Sequence, residues 1–414
     1  MEKVFSLFGI IIIILLVWLL STDKKKFPFR IVIWGLIIQF TIGYLVLKFP
    51  IGVAFFSWLS EFVTNFLNYS LKSAEFLFGN FAKREYQTTF GFQFAIIVAS
   101  TVIFFSAFVS ILYHFGIMQR IVYSMAWLMN KTMGTSGVES LSASANIFLG
   151  QTEAPLLIRH YLSSASLSEL NSIMTCGFAT IAGGVMAAYI SMGIEAKYLI
   201  TASIISAPGG LILSKILIPP SGNSKSLKEI KNFEIPKQNN VLSAVSQGAT
   251  DGLFLSLNIL GMLIAFIALI AVFDGGLLFL DNWLSGFGIT FLPSSLKELL
   301  GYIFMPFAYL VGVPSIDAQT FGSLVGTKIA INEFIAYSDL SLLINQNAIT
   351  EKTAVLATFA LCGFANFSSI AIQIGGIGSL APDRKSDLSK LGIKAMFIGA
   401  LTNLLTTCIA GIML

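Results

Sequence analysis

Charge is what this sequence has least of. Only 11% of its 414 residues are Asp, Glu, Lys or Arg, against roughly 25% in soluble domains. That shortage excludes a water-soluble globule, and the chain reads as an integral membrane protein with no large soluble domain. Histidine is nearly missing as well: His114 and His160 are the only two. His114 stands apart from the polar motifs, His160 beside Arg159 reads as a membrane-edge residue, and no nucleophile, base and orienter set is visible. An intramembrane enzyme using two carboxylates as acid and base is therefore a poor reading. The three cysteines, Cys176, Cys362 and Cys408, lie in apolar runs without paired or metal-type spacing. Disulfides and zinc are not expected, and free buried thiols are. A net charge of +4 suits basic loops beside a membrane better than a nucleic-acid partner.

What is present is apolar sequence, 56% of the chain, with a mean hydropathy of +0.83. Runs long enough to cross a bilayer fall at residues 4–20, 29–49, 92–127, 172–192, 198–218, 248–280, 353–378 and 388–414. The first run has its basic cluster, Lys24, Lys25 and Lys26, after it rather than before it. It is expected to be a retained helix with the N-terminus outside. Residues 52–79 mix aromatics with Glu61, Asn65, Asn68, Lys72 and Glu75, the pattern of an amphipathic helix lying along the interface. Residues 219–238, with Lys225, Lys228, Lys231 and Lys237, form the most polar loop and should be cytoplasmic. The count gives eight spans with both termini outside.

Two segments fit no simple span. Residues 135–164 contain ANIFLGQTEAPLLIRH, and residues 306–347 contain GTKIAINEFIAY. Each is too long for a turn and is broken near its middle by Gly, Pro or polar residues. Both read as re-entrant hairpins, since non-helical backbone at membrane depth needs protein or a wet cavity to cover it. An internal repeat supports this. CGFAT at residues 176–180 recurs as CGFAN at 362–366, each in the span after a hairpin. Each hairpin carries one glutamate, Glu153 or Glu333, which precedes its cysteine by 23 or 29 positions. Loop charges make the first hairpin open from the cytoplasm and the second from outside, so the halves are inverted. Inverted repeats with broken helices are the architecture of secondary transporters, and the breaks mark the binding site.

A carboxylate at membrane depth is a functional candidate by default. The competing reading is that each glutamate pairs with a cation, such as Lys328 for Glu333, and merely ties helices together. Around the two glutamates stand Gln151, Thr152, Asn332, Asn366, Ser368 and Ser369. Amides and hydroxyls suit a neutral solute rich in hydrogen bonds, whereas an anion would require Arg or Lys at depth. Phe364 and Phe367 flank Asn366 and can stack on a ring or pack into lipid or core.

The segments GQTEAPLLIR, GTKIAINEFIAY and GFANFSSIAIQIGGIGSLAPDRK resemble the signatures of the concentrative nucleoside transporters, in a bacterial form with eight spans. The resemblance runs from the interfacial helix to the C-terminus. It implies an all-α homotrimer of the elevator type, in which a transport domain moves against a scaffold. The division implied here is scaffold at 1–134, first transport repeat at 135–218, cytoplasmic loop at 219–240, scaffold span at 241–292 and second transport repeat at 293–414. By the same resemblance, Gln151, Thr152, Glu153 and Val185 bind the nucleobase, Glu333, Asn366 and Ser369 bind the ribose, and Phe364 packs beside the nucleoside. A sodium site is implied at Asn146, the Leu149 carbonyl, Thr180 and the Ile181 carbonyl, all oxygen donors as a hard cation requires. The function implied is Na+-driven nucleoside import across a bacterial inner membrane, with uridine, adenosine or cytidine as candidate substrates and no cofactor beyond Na+. Coupling to protons through Glu153 or Glu333 and passive conduction are the alternatives.

Overall fold

The computed structural model describes residues 2–86, 89, 91, 93–220, 239–285 and 293–414, and every regular element among them is helical. The basic residues Lys225, Lys228, Lys231 and Lys237 lie outside the described residues. Two apolar helices come first, α1 (Glu2–Leu19) and α2 (Phe29–Leu47). Next is α3 (Pro50–Phe78), with Pro50 in its first turn, where the missing N–H has no helical partner to lose. Phe55, Trp58, Phe62, Tyr69 and Phe76 form one exposed stripe on α3, while Leu67, Ser70 and Ala74 are buried.

The expected span at 92–127 is two helices. α4 (Phe94–His114) stops before Gly116, which takes φ +74°, and α5 (Ile117–Met133) starts afresh. A left-handed residue cannot continue an α-helix, so the break overrides the unbroken hydropathy. α5 buries Met118, Val122, Ala126, Met129 and Met133, the spacing of one helical face. Arg30 holds its far end by donating to the carbonyls of Lys131 and Thr132, at 2.9 and 3.0 Å.

Then follow α6 (Gly137–Ala145), a tight 3-10 turn (Ala154–Ile158), α7 (Arg159–Leu162), α8 (Leu167–Ala179), α9 (Gly183–Ser191) and α10 (Ala196–Leu217). Capping boxes begin α6 and α8, with Ser136 paired to Glu139 and Ser166 to Glu169. Each satisfies two end groups that would otherwise lack a partner. Past α11 (Val241–Ser285) come α12 (Leu296–Val311), α13 (Ala318–Ala330), α14 (Glu333–Asn345), α15 (Glu351–Leu361), α16 (Phe367–Leu380) and α17 (Lys385–Met413).

The repeat is wider than its motifs. α5 and α12 each end at a left-handed glycine, Gly134 and Gly312, and pack on the following short helix, α6 or α13. A tip follows in each half, then a broken span, α8–α9 or α15–α16, then an unbroken helix, α10 or α17. CGFAT and CGFAN both sit at the breaks. Because α15 and α16 are separate short helices, the expected seventh run at 353–378 is not one helix. Among the described residues seven helical segments are long and apolar enough to cross a membrane, with Leu167–Ser191 counted as one. The second hairpin also begins later than expected. Pro306 lies inside α12, and the two arms are α13 and α14, joined at residues 331–332.

Much of α8, α10 and α17 is buried, and these three helices form the core. α1 and α2 pack on α10 and α17. Close polar contacts hold them: Ser6 Oγ donates to the carbonyl of Val311, the last residue of α12, at 2.9 Å, and Gln39 Nε2 to the Ile205 carbonyl of α10 at 2.7 Å. α3, α4 and α11 form a second group, in contact with α9 and α10.

Candidate functional site

The two tips and two breaks converge on a cavity of about 490 Å3, within the usual range for small-molecule sites. One wall is the first tip, Gly150 to Glu153, with Ala182 and Val185 from the start of α9. Facing it are Asn332, Glu333 and Phe334 of the second tip, with Phe364, Asn366, Ser368, Ser369 and Ile372 at the second break. Pro155 occupies the first turn of the 3-10 segment, so it breaks no established hydrogen-bond ladder. It lets the chain turn back just after three polar side chains.

Asn366 organises the site. It caps α16, its Oδ1 accepting from Ser369 N at 2.9 Å and from Ser368 Oγ at 2.7 Å. With the oxygen occupied, its Nδ2 donates to Glu333 Oε2 at 2.8 Å. Glu333 is 6% exposed and stands in the first turn of α14, where the helix dipole favours an anion. The close partner of Glu333 is thus Asn366 and not Lys328, whose Nζ donates to the Ala360 carbonyl and to Asn403. Glu153 is different: it is exposed, accepting only a 3.3 Å bond from Gly150 N.

Every residue expected to contact base or sugar lines this cavity: Gln151, Thr152, Glu153, Val185, Glu333, Phe364, Asn366 and Ser369. Phe367 does not, and is half exposed on the outside of α16. The four expected ion ligands lie behind the first tip. Asn146 caps α6 and Thr180 caps α8, and both are buried, as is Ile181. Gly183 N donates to the Phe148 carbonyl at 2.9 Å, which brings the tip against the break. Asn146 donates through Nδ2 to the Ser142 carbonyl, but its buried Oδ1 has no partner. A buried acceptor left free requires a reason, and a cation supplies one.

Sequence reasoning missed two features. Gln373, fully buried, donates from Nε2 to Gln151 Oε1 at 3.0 Å and to the Met174 carbonyl at 3.1 Å, tying the first tip to α16 and α8. It stands out as a lone amide within the apolar stretch at residues 370–378 of α16. The remaining wall is α11, through Leu255, Asn258, Ile259, Met262 and Leu263, a stripe at helical spacing.

Comparison with known proteins assigns the family. Profiles described as the Na+ dependent nucleoside transporter N-terminus and C-terminus match residues 8–81 and 198–411, and one described as nucleoside recognition matches 95–196. The chain is 41% identical over 416 residues to an uncharacterized transporter of Haemophilus influenzae, covering 98% of that protein. It is 42% identical over 426 residues to solute carrier family 28 member 3 of Eptatretus stoutii, and 40% over 427 residues to sodium/nucleoside cotransporter 1 of Homo sapiens. All of this chain is aligned in each case, but it spans only 61% and 64% of those two proteins. CNTnw in an inward-facing substrate-bound state superposes with a TM-score of 0.93 at 38% identity, covering 100% of this chain and 98% of that one. A doubly substituted CNTnw in an outward-facing state gives 0.94, with the same identity and coverage. Matched by these profiles along most of its length, the chain belongs to the Na+ dependent nucleoside transporter family, and it is a multi-pass membrane transporter, not an enzyme.

Proposed function

We propose that the chain is a Na+–nucleoside symporter that imports nucleosides such as uridine, cytidine or adenosine. The observation that carries this reading is the convergence of both tips and both breaks on one cavity, with Glu333 held by Asn366 at its edge. Glu333, Asn366 and Ser369 bind the ribose hydroxyls, for which a carboxylate acceptor and an amide are matched partners. Gln151, Thr152 and Glu153 bind the base edge, Val185 packs on its face, and Phe364 closes the side. Sodium binds at Asn146, the Leu149 carbonyl, Thr180 and the Ile181 carbonyl, and the free Asn146 Oδ1 supports this placement.

Sodium fixes the first tip against the α8–α9 break, which places Gln151 to Glu153 for the nucleoside. A ligand biases a conformational equilibrium only through differential affinity for its states, so ordering of that tip is where sodium and nucleoside are coupled. The two hairpins are re-entrant and the halves inverted, in a protein of eight spans with both termini outside a bacterial inner membrane. Movement is of the elevator type. The moving body contains the hairpins, α8–α10 and α15–α17, and we group α1 and α2 with it, a reading that their packing on α10 and α17 supports. The fixed body contains α3, α4 and α11 and forms a homotrimer. The exposed aromatic stripe of α3 and the exposed face of α11 provide surface for subunits and lipid.

Titration calorimetry of purified protein with uridine, in sodium chloride and in choline chloride, tests the site. At least tenfold tighter binding in sodium is expected, a coupling of about 1.4 kcal/mol. Asn146→Ala should reduce that difference. Equal affinity in the two salts would remove the ion from the binding step, and absence of binding by every nucleoside would remove the substrate class.

A further inference from the structure

Lys328 is a charge where the fold has few reasons to keep one. It lies in the last turn of α13, 1% exposed. No carboxylate among the described residues lies within ion-pair distance of it. Its acceptors are neutral oxygens: the Ala360 carbonyl at 2.9 Å, in the last turn of α15, and Asn403 Oδ1 at 2.5 Å. Asn403, also fully buried, donates from Nδ2 to the carbonyl of Ala179, the last residue of α8, at 2.7 Å. One line of polar atoms therefore joins the C-terminal end of α15 to that of α8, the first helices of the two broken spans. Both ends carry partial negative charge. At their crossing Gly363 takes φ +146°, and a Cβ there would stand 2.7 Å from Asn403 Oδ1 and 2.5 Å from the Phe178 carbonyl.

The repeat gives the lysine a counterpart. In the first half, Asn146 caps the end of α6 and Thr180 that of α8, and the acceptor Asn146 Oδ1 is buried without a partner. In the second half the corresponding helices are α13 and α15, and there the ammonium of Lys328 meets the end of α15. We propose that Lys328 is a tethered cation, holding the second repeat's helix ends permanently as a dissociable sodium holds the first's. This inference rests on the sodium reading of the first repeat. Lys328 does not line the cavity, whereas Glu333, in the next helix of the same hairpin, does. It is a positioning residue. One repeat then requires an ion in each cycle and the other carries its own, so a single sodium accompanies each nucleoside.

Two variants separate charge from shape. Lys328→Ala leaves the neutral oxygens and space beside them, and Lys328→Met fills that space without charge. Initial rates of uridine uptake into proteoliposomes are measured against external sodium. The wild type should follow a hyperbola, whereas Lys328→Ala should approach a Hill coefficient of about 2, as expected for two coupled sites. Its half-saturating sodium should rise about tenfold, the usual scale for a disturbed ion shell. Lys328→Met should fail to transport at any sodium concentration. A Lys328→Ala curve identical to wild type would overturn the proposal, and so would wild-type uptake by Lys328→Met. If Lys328→Ala yields no folded protein, Lys328→Ser, which adds a hydroxyl oxygen, takes its place under the same criteria. Wild-type uptake that ignores sodium would end the sodium reading instead. The tethered cation would then stand if the Ala variant acquired a sodium requirement and fall if it did not.

Discussion

Glu333→Gln is the substitution whose outcome the geometry fixes most tightly. The side chains are nearly isosteric, so the change removes charge without opening a void. Asn366 cannot adapt, because its oxygen is held by Ser369 N and Ser368 Oγ and its Nδ2 must therefore point at position 333. A glutamine can answer that donor only with its own oxygen, which turns its amino group towards the cavity. A group that accepted from a ribose hydroxyl then becomes a donor. Losing one hydrogen bond to a charged acceptor costs about 1.5–3 kcal/mol, which is roughly 10- to 150-fold in Kd. Calorimetry with uridine and its 2′- and 3′-deoxy analogues reads the effect. The wild type should discriminate strongly between them, since a missing hydroxyl leaves a buried group unpaired. Glu333→Gln should weaken uridine and flatten the discrimination while the protein elutes and melts as wild type does. Uridine affinity within threefold of wild type, with discrimination intact, would refute the ribose assignment.

Two further substitutions test the frame around the site. Gly363→Ala forces a side chain into a glycine-only backbone region, at about 1–3 kcal/mol, and against two oxygens, at a similar cost for overpacking. Thermal melting in detergent should fall clearly, and an unchanged Tm would show that the helix breaks can separate freely. Glu139 and Lys215 form an ion pair, both side chains almost fully buried, and Ser168 Oγ accepts from the lysine at 2.9 Å. Lys215→Met alone should destabilise by about 3–5 kcal/mol, because it strands a buried carboxylate, whereas adding Glu139→Leu should restore most of the loss. A double variant as unstable as the single one would refute that reasoning.

Much of this arrangement can be read from the sequence because the interruptions are conspicuous in so apolar a chain. Gly150 to Pro155 and Asn332–Glu333 stand out, and the two CGFA copies coincide with the two helix breaks. What escapes is decided by backbone conformation or by partners distant in sequence. Hydropathy runs unbroken across Gly116, so only its positive φ shows that α4 has ended. Pro306 resembles a break but lies within α12, and the stop is at Gly312. A helix that is apolar on all sides, such as α1, gives no sign of which neighbour it will choose. Here Ser6 and Gly9 let α1 approach α12 and α17 closely. Lys328 reads naturally as a partner for Glu333, five positions away. Its acceptors, Ala360 and Asn403, lie 32 and 75 positions off, a distance no local pattern bridges.

The central claim, sodium-driven nucleoside transport, is tested most directly by uptake of radiolabelled uridine into proteoliposomes. An inward sodium gradient is compared with choline at constant pH. Accumulation above the equilibrium level with sodium alone, lost when the gradient is collapsed, is the expected result. Uptake that follows a pH gradient and ignores sodium would contradict the ion site at Asn146 and Thr180. Equilibration without accumulation under either gradient would contradict coupled transport altogether.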